Sequence, residues 1–363
     1  MCNQETILNI IRLDPTISEQ AIANKTGFSL EEVNETIVSL IQAGRIVGRS
    51  FILPEEKKIV CIGGANVDQK VQVLNQVTYE TSNPAVSTRS RGGVARNVAE
   101  NLGRLGLQSS LLAYIGGDSE GEWLHENTKQ FVNLAPLKVI EGKSTGTYTA
   151  VLDPEGQMLL ALSDMRIYDD VEEDFIEKNM HYLQHAEMVL LDTNFPGGIL
   201  EQVISSCKAY QIPLCVAPVS APKAEKLPES LEGVTWLIAN HKEAEALAKL
   251  KIQTEGDFFR AAEVILNRGV EKVVISRGNQ GIIYFTKDGE AGAIVVPDIL
   301  VTDVTGAGDS LIAGILFGYL KGLSTENACK IGISCSLITI QSGETVNPEL
   351  NHLKLIKAFQ SCF

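Results

Sequence analysis

Short apolar segments that alternate with helix-like ones constrain this chain more than any other feature. Met188-Val-Leu-Leu191 precedes a helical pattern near 197–210, and Leu214-Cys-Val-Ala217 follows it. Trp236-Leu-Ile-Ala239 leads into Glu243 to Leu250, and Lys272-Val-Val-Ile275 comes next. Apolar runs this short have the length of fully buried strands, and strands apolar on both faces need helices above and below them. The rhythm predicts a mostly parallel sheet covered on both faces. Ile59-Val-Cys-Ile62 and Leu111-Leu-Ala-Tyr-Ile115 extend the pattern upstream. The runs at 59–62 and 111–115 end in glycine pairs, and the C-terminal ends of parallel strands are where α/β proteins place ligands.

At 363 residues the chain exceeds one typical domain. The polar stretch Pro54-Glu-Glu-Lys-Lys58 marks a boundary, dividing the chain into 1–56 and 57–363. Upstream, Ile7, Leu8, Ile10 and Ile11 form a helical stripe stopped by Pro15, and Ser18 to Gly27 reads as a capped second helix. Ser29 and Glu32 form a capping box before Val33, Ile37, Leu40 and Ile41, and Arg45 to Leu53 is hairpin-like. Three helices and a hairpin resemble a winged helix-turn-helix module. Its third helix carries Glu31, Glu32 and Glu35 and no Lys or Arg, whereas groove and phosphate contacts need cations. DNA binding is therefore disfavoured against a packing or dimerisation role.

A net charge of −14 argues against phosphate-backbone binding by the whole surface. No run of about 18 apolar residues reads as a membrane span, and Met1 to Glu5 lacks a basic-then-apolar signal pattern, so a cytoplasmic location is expected. Seven cysteines show no CxxC pair and lie mostly in apolar segments, as buried free thiols do. His181 and His185 share i, i+4 spacing but have no third ligand in view, so a solvated helix face is the reading.

The chemistry concentrates in Thr302-Asp303-Val304-Thr305-Gly306-Ala307-Gly308-Asp309, which runs into the apolar stretch Ser310 to Tyr319. Glycines at a helix start uncover backbone N–H groups and favour anions, so Gly306, Ala307 and Gly308 read either as a phosphate seat with the Asp309 carboxylate beside it or as a glycine turn with an Asp N-cap before a buried helix. The helix terminus is expected to lower the Asp309 pKa. Asn66 and Asp68 follow the strand at 59–62, and Gly92, Gly93 and Asn97 open an amphipathic helix. The polar segments 69–91 and 145–163, the second turning at Asp153 to Gly156, predict a small β-sheet projecting over the active face as a lid.

Three motifs in this order resemble the ribokinase-like carbohydrate kinases, the phosphofructokinase B family: Gly92-Gly-Val-Ala-Arg-Asn97, Asn240-His-Lys-Glu243 and Asp303-Val-Thr-Gly-Ala-Gly-Asp309. The likeness covers about 58–360. It implies a three-layer α/β/α sandwich with a β-sheet lid, here behind the helix-turn-helix domain, and ATP-dependent phosphorylation of an alcohol. Asp309 looks like the general base and Gly306, Ala307 and Gly308 like the anion hole. Asn66, Asp68, Gly92, Gly93 and Asn97 look like acceptor contacts, and Asn240, Ser276, Gly278 and Gly281 like the ATP side. Glu243 would act on Mg²⁺ through water, while Asp303 and Thr305, with the loop from Ser342 to Asn347, resemble a monovalent-cation (K⁺) loop. Family lids often pair across a homodimer.

The glycine-rich helix start, Val304 and Ser163-Asp-Met165 look most like pseudouridine kinases, which phosphorylate a ribose 5′-hydroxyl. Asp164 reads as a surface turn residue. A kinase for a free sugar such as ribose is the alternative within the class, and a DNA-binding regulator with a ligand-sensing domain is the alternative outside it.

Overall fold

The computed structural model describes residues 2–14, 17–46, 58–297 and 299–363. The chain divides into two compact units, Met1–Glu56 and Lys57–Phe363. The first holds the helices Cys2–Leu13, Glu19–Thr26 and Leu30–Gln42 around a core that includes Ile7, Leu8, Ile11, Ile22, Val33, Ile37 and Leu40. Ser18 caps the second helix and Gly27 ends it at φ 76°. Ser29 and Glu32 close the capping box on the third, with Ser29 N–H donating to Glu32 at 2.8 Å and Glu32 N–H to Ser29 Oγ at 3.2 Å. The hairpin expected over 45–53 lies outside the described residues from position 47 on.

The second unit is built on an eight-stranded sheet. Its spatial order is Ala291–Ile294, Ile282–Thr286, Lys272–Ser276, Trp236–Asn240, Leu214–Ala217, Ala186–Asp192, Lys58–Ile62, Ser109–Leu112. Pairing is parallel except at the 272–294 edge, where Ile282–Thr286 runs antiparallel to both of its neighbours. Alternation along each strand feeds two separate cores. Ile59, Cys61, Leu190, Cys215, Trp236 and Ile238 pack with the helices Val94–Arg104, Ala307–Leu320 and Thr325–Thr339. Val60, Ile62, Val189, Leu191, Val216 and Leu237 pack on the opposite face with Phe175–Gln184, Gly197–Ala209, His241–Ala248 and Glu255–Asn267. The expected strand at 111–115 is two: Ser109–Leu112 joins the main sheet, while Tyr114–Gly116 leaves it to pair with Lys138–Ile140.

A four-stranded sheet carries Ala85–Gly92, Asn66–Val73, Gly146–Leu152 and Met158–Asp164 in that order. The stretches expected to form a separate sheet do so. The chain leaves Lys58–Ile62 for Ser109–Leu112 on one side and later returns to Ala186–Asp192 on the other, which makes a topological switch point at the C-terminal ends of these strands. Buried thiols at Cys61, Cys207, Cys215, Cys329 and Cys335 are free, as expected. Among the described residues no helix is long and apolar enough to cross a membrane.

Candidate active site

The start of helix Ala307–Leu320 stands between two cavities. One is lined by Gly306 and Asp309 together with Asn66, Asp68, Gly93 and Asn97; the other, mostly apolar, by Ala307 and Gly308 together with Ser276, Gly278, Gly281, Ile282, Val301 and Leu337. Gly306 makes this junction sterically. It sits at φ 78°, and a Cβ there would lie 1.9 Å from the Thr345 carbonyl oxygen, so the helix start can be seated on the 342–347 loop only by glycine. The Ala307 N–H donates to Val304 O at 3.2 Å, which leaves the first-turn amides of Gly308 and Asp309 without intrahelical acceptors. An anion placed there meets two N–H groups and the positive end of the helix.

Asp309 accepts from Asn97 Nδ2 at 2.6 Å, across 212 residues of sequence. The Asn97 amide is oriented from behind: Arg96 Nη2 donates to Asn97 Oδ1. Arg96 is buried and fixed in turn by Glu100 at 2.5 Å, by Gly92 O at 2.9 Å and by Arg91 O at 3.0 Å. Arg104 closes the network on Glu100 at 2.8 Å. The expected lowering of the Asp309 pKa is reversed. Burial pushes it up to about 6; the Asn97 bond opposes this and the negative charge of Asp68 adds to it. The helix terminus loses because desolvation of a carboxylate outweighs a terminal partial charge. Asp68, half-buried and accepting from Asn66 Nδ2 at 2.6 Å, is likewise raised to about 6 by burial. Gly92 does not line the cavity; a Cβ there would lie 2.3 Å from Asp68 Oδ1, so its part is to make room for that carboxylate.

Asn240 and Glu243 cap the helix His241–Ala248 on one another. Asn240 N–H and Nδ2 donate to the two Glu243 carboxylate oxygens at 2.9 and 2.7 Å, and Glu243 N–H returns a bond to Asn240 Oδ1 at 3.0 Å. Burial raises the Glu243 pKa to about 7. Asn240, Ser276 and Gly278 line a cleft beside the apolar cavity. Among the described residues no group of three or more His, Cys, Asp or Glu could hold a metal by protein ligands alone. Asp303 and Thr305 are taken by a side chain from another element: Lys70 Nζ donates to Asp303 Oδ2 and, at 2.9 Å, to Thr305 Oγ1.

Several residues that converge here carry no local signal strong enough to single them out in the sequence. Tyr148, Asn194, Val219 and Lys223 line the Asp309 cavity beside Ser163, Met165 and Thr345. Buried Asp192, at the end of its strand, accepts from the amides of Gly64 at 2.8 Å, Ala95 at 3.0 Å and Asn194 at 2.9 Å, tying two loops and the start of helix Val94–Arg104 together. Asn194 Oδ1 then accepts from Lys223 Nζ at 2.6 Å. Desolvation lowers the Lys223 pKa. The polar end of the run Met188 to Asn194 is the one hint of Asp192 and Asn194; nothing local marks Lys223. Asp164 is exposed and pairs with Arg166 at 2.6 Å, a surface residue as expected, but it ends strand Met158–Asp164 opposite Thr147 rather than lying in a turn.

The model of the pfkB family carbohydrate kinases matches residues 56–352. The uncharacterised sugar kinase YeiI of Escherichia coli is 31% identical over 349 residues, which is 96% of this chain and 96% of its own length, so the likeness extends beyond the second unit. The pseudouridine kinase of Escherichia coli is 30% identical over 308 residues, covering 85% of this chain and 98% of its own. The structure of Arabidopsis thaliana ribokinase complexed with ribose and ATP superposes with a TM-score of 0.75 over 84% of this chain and 99% of its own, at 19% identity, which shows the ribokinase-like fold.

Proposed function

The chain belongs to the pfkB family of carbohydrate kinases and is an ATP-dependent phosphotransferase, and from that premise we propose that its acceptor is a nucleoside, phosphorylated on the ribose 5′-hydroxyl, with pseudouridine as the preferred one. The observation that carries this reading is the composition of the Asp309 cavity. Asn66 and Asp68 supply what sugar hydroxyls need, yet the same cavity also holds Tyr148, Met165, Val219 and the Asn194–Lys223 pair. An aromatic ring, apolar side chains and an ammonium suit a flat base with carbonyl oxygens better than a free sugar. The pseudouridine kinase of Escherichia coli supports the same choice.

In this reading Asn97 holds Asp309 against the acceptor hydroxyl, and Asp309 takes the proton as the phosphoryl group leaves ATP. The carboxylate raised to about 6 is a better base than an unperturbed one and is still mostly ionised at neutral pH. The Gly308 and Asp309 amides receive the negative charge that builds on the transferred group. The apolar cavity at Ile282, Val301 and Leu337 is suited to the adenine base, with Ser276, Gly278 and Gly281 at its rim. Mg²⁺ would arrive on the ATP phosphates and neutralise them; buried Glu243 fits action through water, since both of its oxygens already accept from Asn240.

The four-stranded sheet contributes Asn66, Asp68, Tyr148 and Ser163 to the cavity, as a lid would. Its edge strand Met158–Asp164 exposes Met158, Leu159, Leu160 and Leu162, which supports pairing with a second copy. The first unit remains a helix-turn-helix-like module in this proposal. DNA is disfavoured as its ligand, because Glu31, Glu32 and Glu35 are exposed on the third helix and Arg45 is paired with Glu5 at 2.7 Å.

The test is ADP release with pseudouridine, uridine, ribose and fructose as acceptors. Pseudouridine should give the highest kcat/KM. A higher value for ribose would replace the nucleoside reading with the free-sugar one. Background ADP with all four, together with salt-sensitive binding of a promoter fragment, would replace both with a regulator.

A further inference from the structure

Lys70 lies on the same face of strand Asn66–Val73 as Asn66 and Asp68, because side chains two apart share a face. It is thus the third member of a row whose first two line the acceptor cavity. Its ammonium ends on the loop that leads into Gly306. Lys70 Nζ donates to Asp303 Oδ2 and to Thr305 Oγ1, while Asp303 Oδ1 accepts from Thr305 N–H at 2.9 Å and from Thr305 Oγ1 at 2.7 Å. The whole Asp303 carboxylate and the Thr305 hydroxyl are therefore committed within one closed set.

Two physical consequences follow. A carboxylate six residues before Asp309 works against a seat for phosphoryl oxygens, and a cation directly on it removes most of that repulsion. A free monovalent cation also needs several uncommitted oxygens; here Asp303 Oδ2 and Thr305 Oγ1 already face the Lys70 ammonium, and Asp303 Oδ1 accepts twice from Thr305. The donor set that resembled a K⁺ loop does not fit a free ion while Lys70 stands there.

We propose that Lys70 is a tethered cation for the phosphate loop, a positioning residue that holds Asp303 to Gly306 in place and makes turnover independent of a free monovalent cation. The proposal rests on the kinase reading for its effect on turnover, but not for its effect on the loop. It also gives the loop a link to the acceptor side, since the strand that carries Asn66 and Asp68 carries the cation.

The experiment uses the full chain as wild type, K70R and K70M, with MgATP and the best acceptor from the screen. The only monovalent cation is tetramethylammonium, Na⁺ or K⁺ at equal ionic strength. Wild type should vary by less than about twofold among the three salts, and K70R should keep most of that activity. K70M should lose about 10- to 100-fold in kcat in tetramethylammonium with little change in acceptor KM, and should recover about tenfold with saturating K⁺. Thermal unfolding without acceptor gives a second readout: K⁺ should raise the Tm of K70M selectively and leave wild type unmoved. Saturable activation of wild type by K⁺, or a K70M that loses activity without any response to K⁺ in either assay, would overturn the proposal. Should no acceptor turn over, the kinase reading fails while the unfolding arm still decides the role of Lys70.

Discussion

Asp309 is the residue on which the proposed chemistry turns, and its surroundings set its ionisation and its aim separately. Burial and the Asp68 charge raise its pKa to about 6, while the Arg96–Asn97 relay fixes where it points. Asp309→Asn keeps the size and the polarity but cannot take a proton. Turnover should fall about 10²- to 10⁴-fold with nucleotide affinity nearly unchanged, measured by ADP release and nucleotide titration; unaltered turnover would remove Asp309 from the mechanism. The acid limb of kcat/KM should lie near pH 6 in the wild type. Asp68→Asn removes a like charge beside Asp309, so the limb should move to lower pH whatever the variant does to acceptor affinity. A limb that stays in place or rises would show that the two carboxylates do not sense each other.

The elements matter through their ends. Helix Ala307–Leu320 is buried from Ser310 to Gly318, so its position is set by packing, and its first turn is delivered to the junction of two cavities as a result. The two glycines of that turn should behave differently. Gly306→Ala puts a methyl against the Thr345 carbonyl at a left-handed φ, and should cost about 1–3 kcal/mol in chemical denaturation along with at least about tenfold in turnover. Nothing lies within 4 Å of a Cβ built at Gly308, so Gly308→Ala should unfold like wild type while the methyl intrudes on the nucleotide-side cavity and weakens ATP. Equal stability of both variants would show that the Thr345 contact does not hold the helix start. Strand Asn66–Val73 acts in the same way, carrying two residues of the Asp309 cavity and Lys70 at fixed spacing.

At the scale of the whole molecule, raised carboxylates shape stability. Asp68 and Asp309 titrate near 6 and Glu243 near 7 in the folded protein, and burial pushes Asp192 upward too. In the unfolded chain these groups lose their protons near pH 4, so the folded state binds more protons between about pH 4 and 7. Their contribution is therefore greatest at low pH and declines as pH rises through that window, by an amount on the order of a few kcal/mol after discounting for solvent in the cleft. Denaturation at pH 5 and pH 8 should show this slope, and Asp309→Asn should make it shallower; an unchanged slope in that variant would assign it to the other groups.

Local pattern carries much of this molecule. Apolar strand runs, Ser29 and Glu32 at a helix start and the glycines before Asp309 each act through neighbours in sequence, so the α/β unit, the capped helices and the glycine-led helix start at Ala307 are legible in the amino-acid order alone. Whatever depends on two distant segments meeting is not: Asn97 on Asp309, Lys70 on Asp303 and Lys223 on Asn194 are separated by 212, 233 and 29 residues. Ionisation belongs to the same group. Asp309 at a helix start reads locally as a carboxylate with a lowered pKa, and only the folded cleft, by excluding water and bringing Asp68 beside it, reverses the sign.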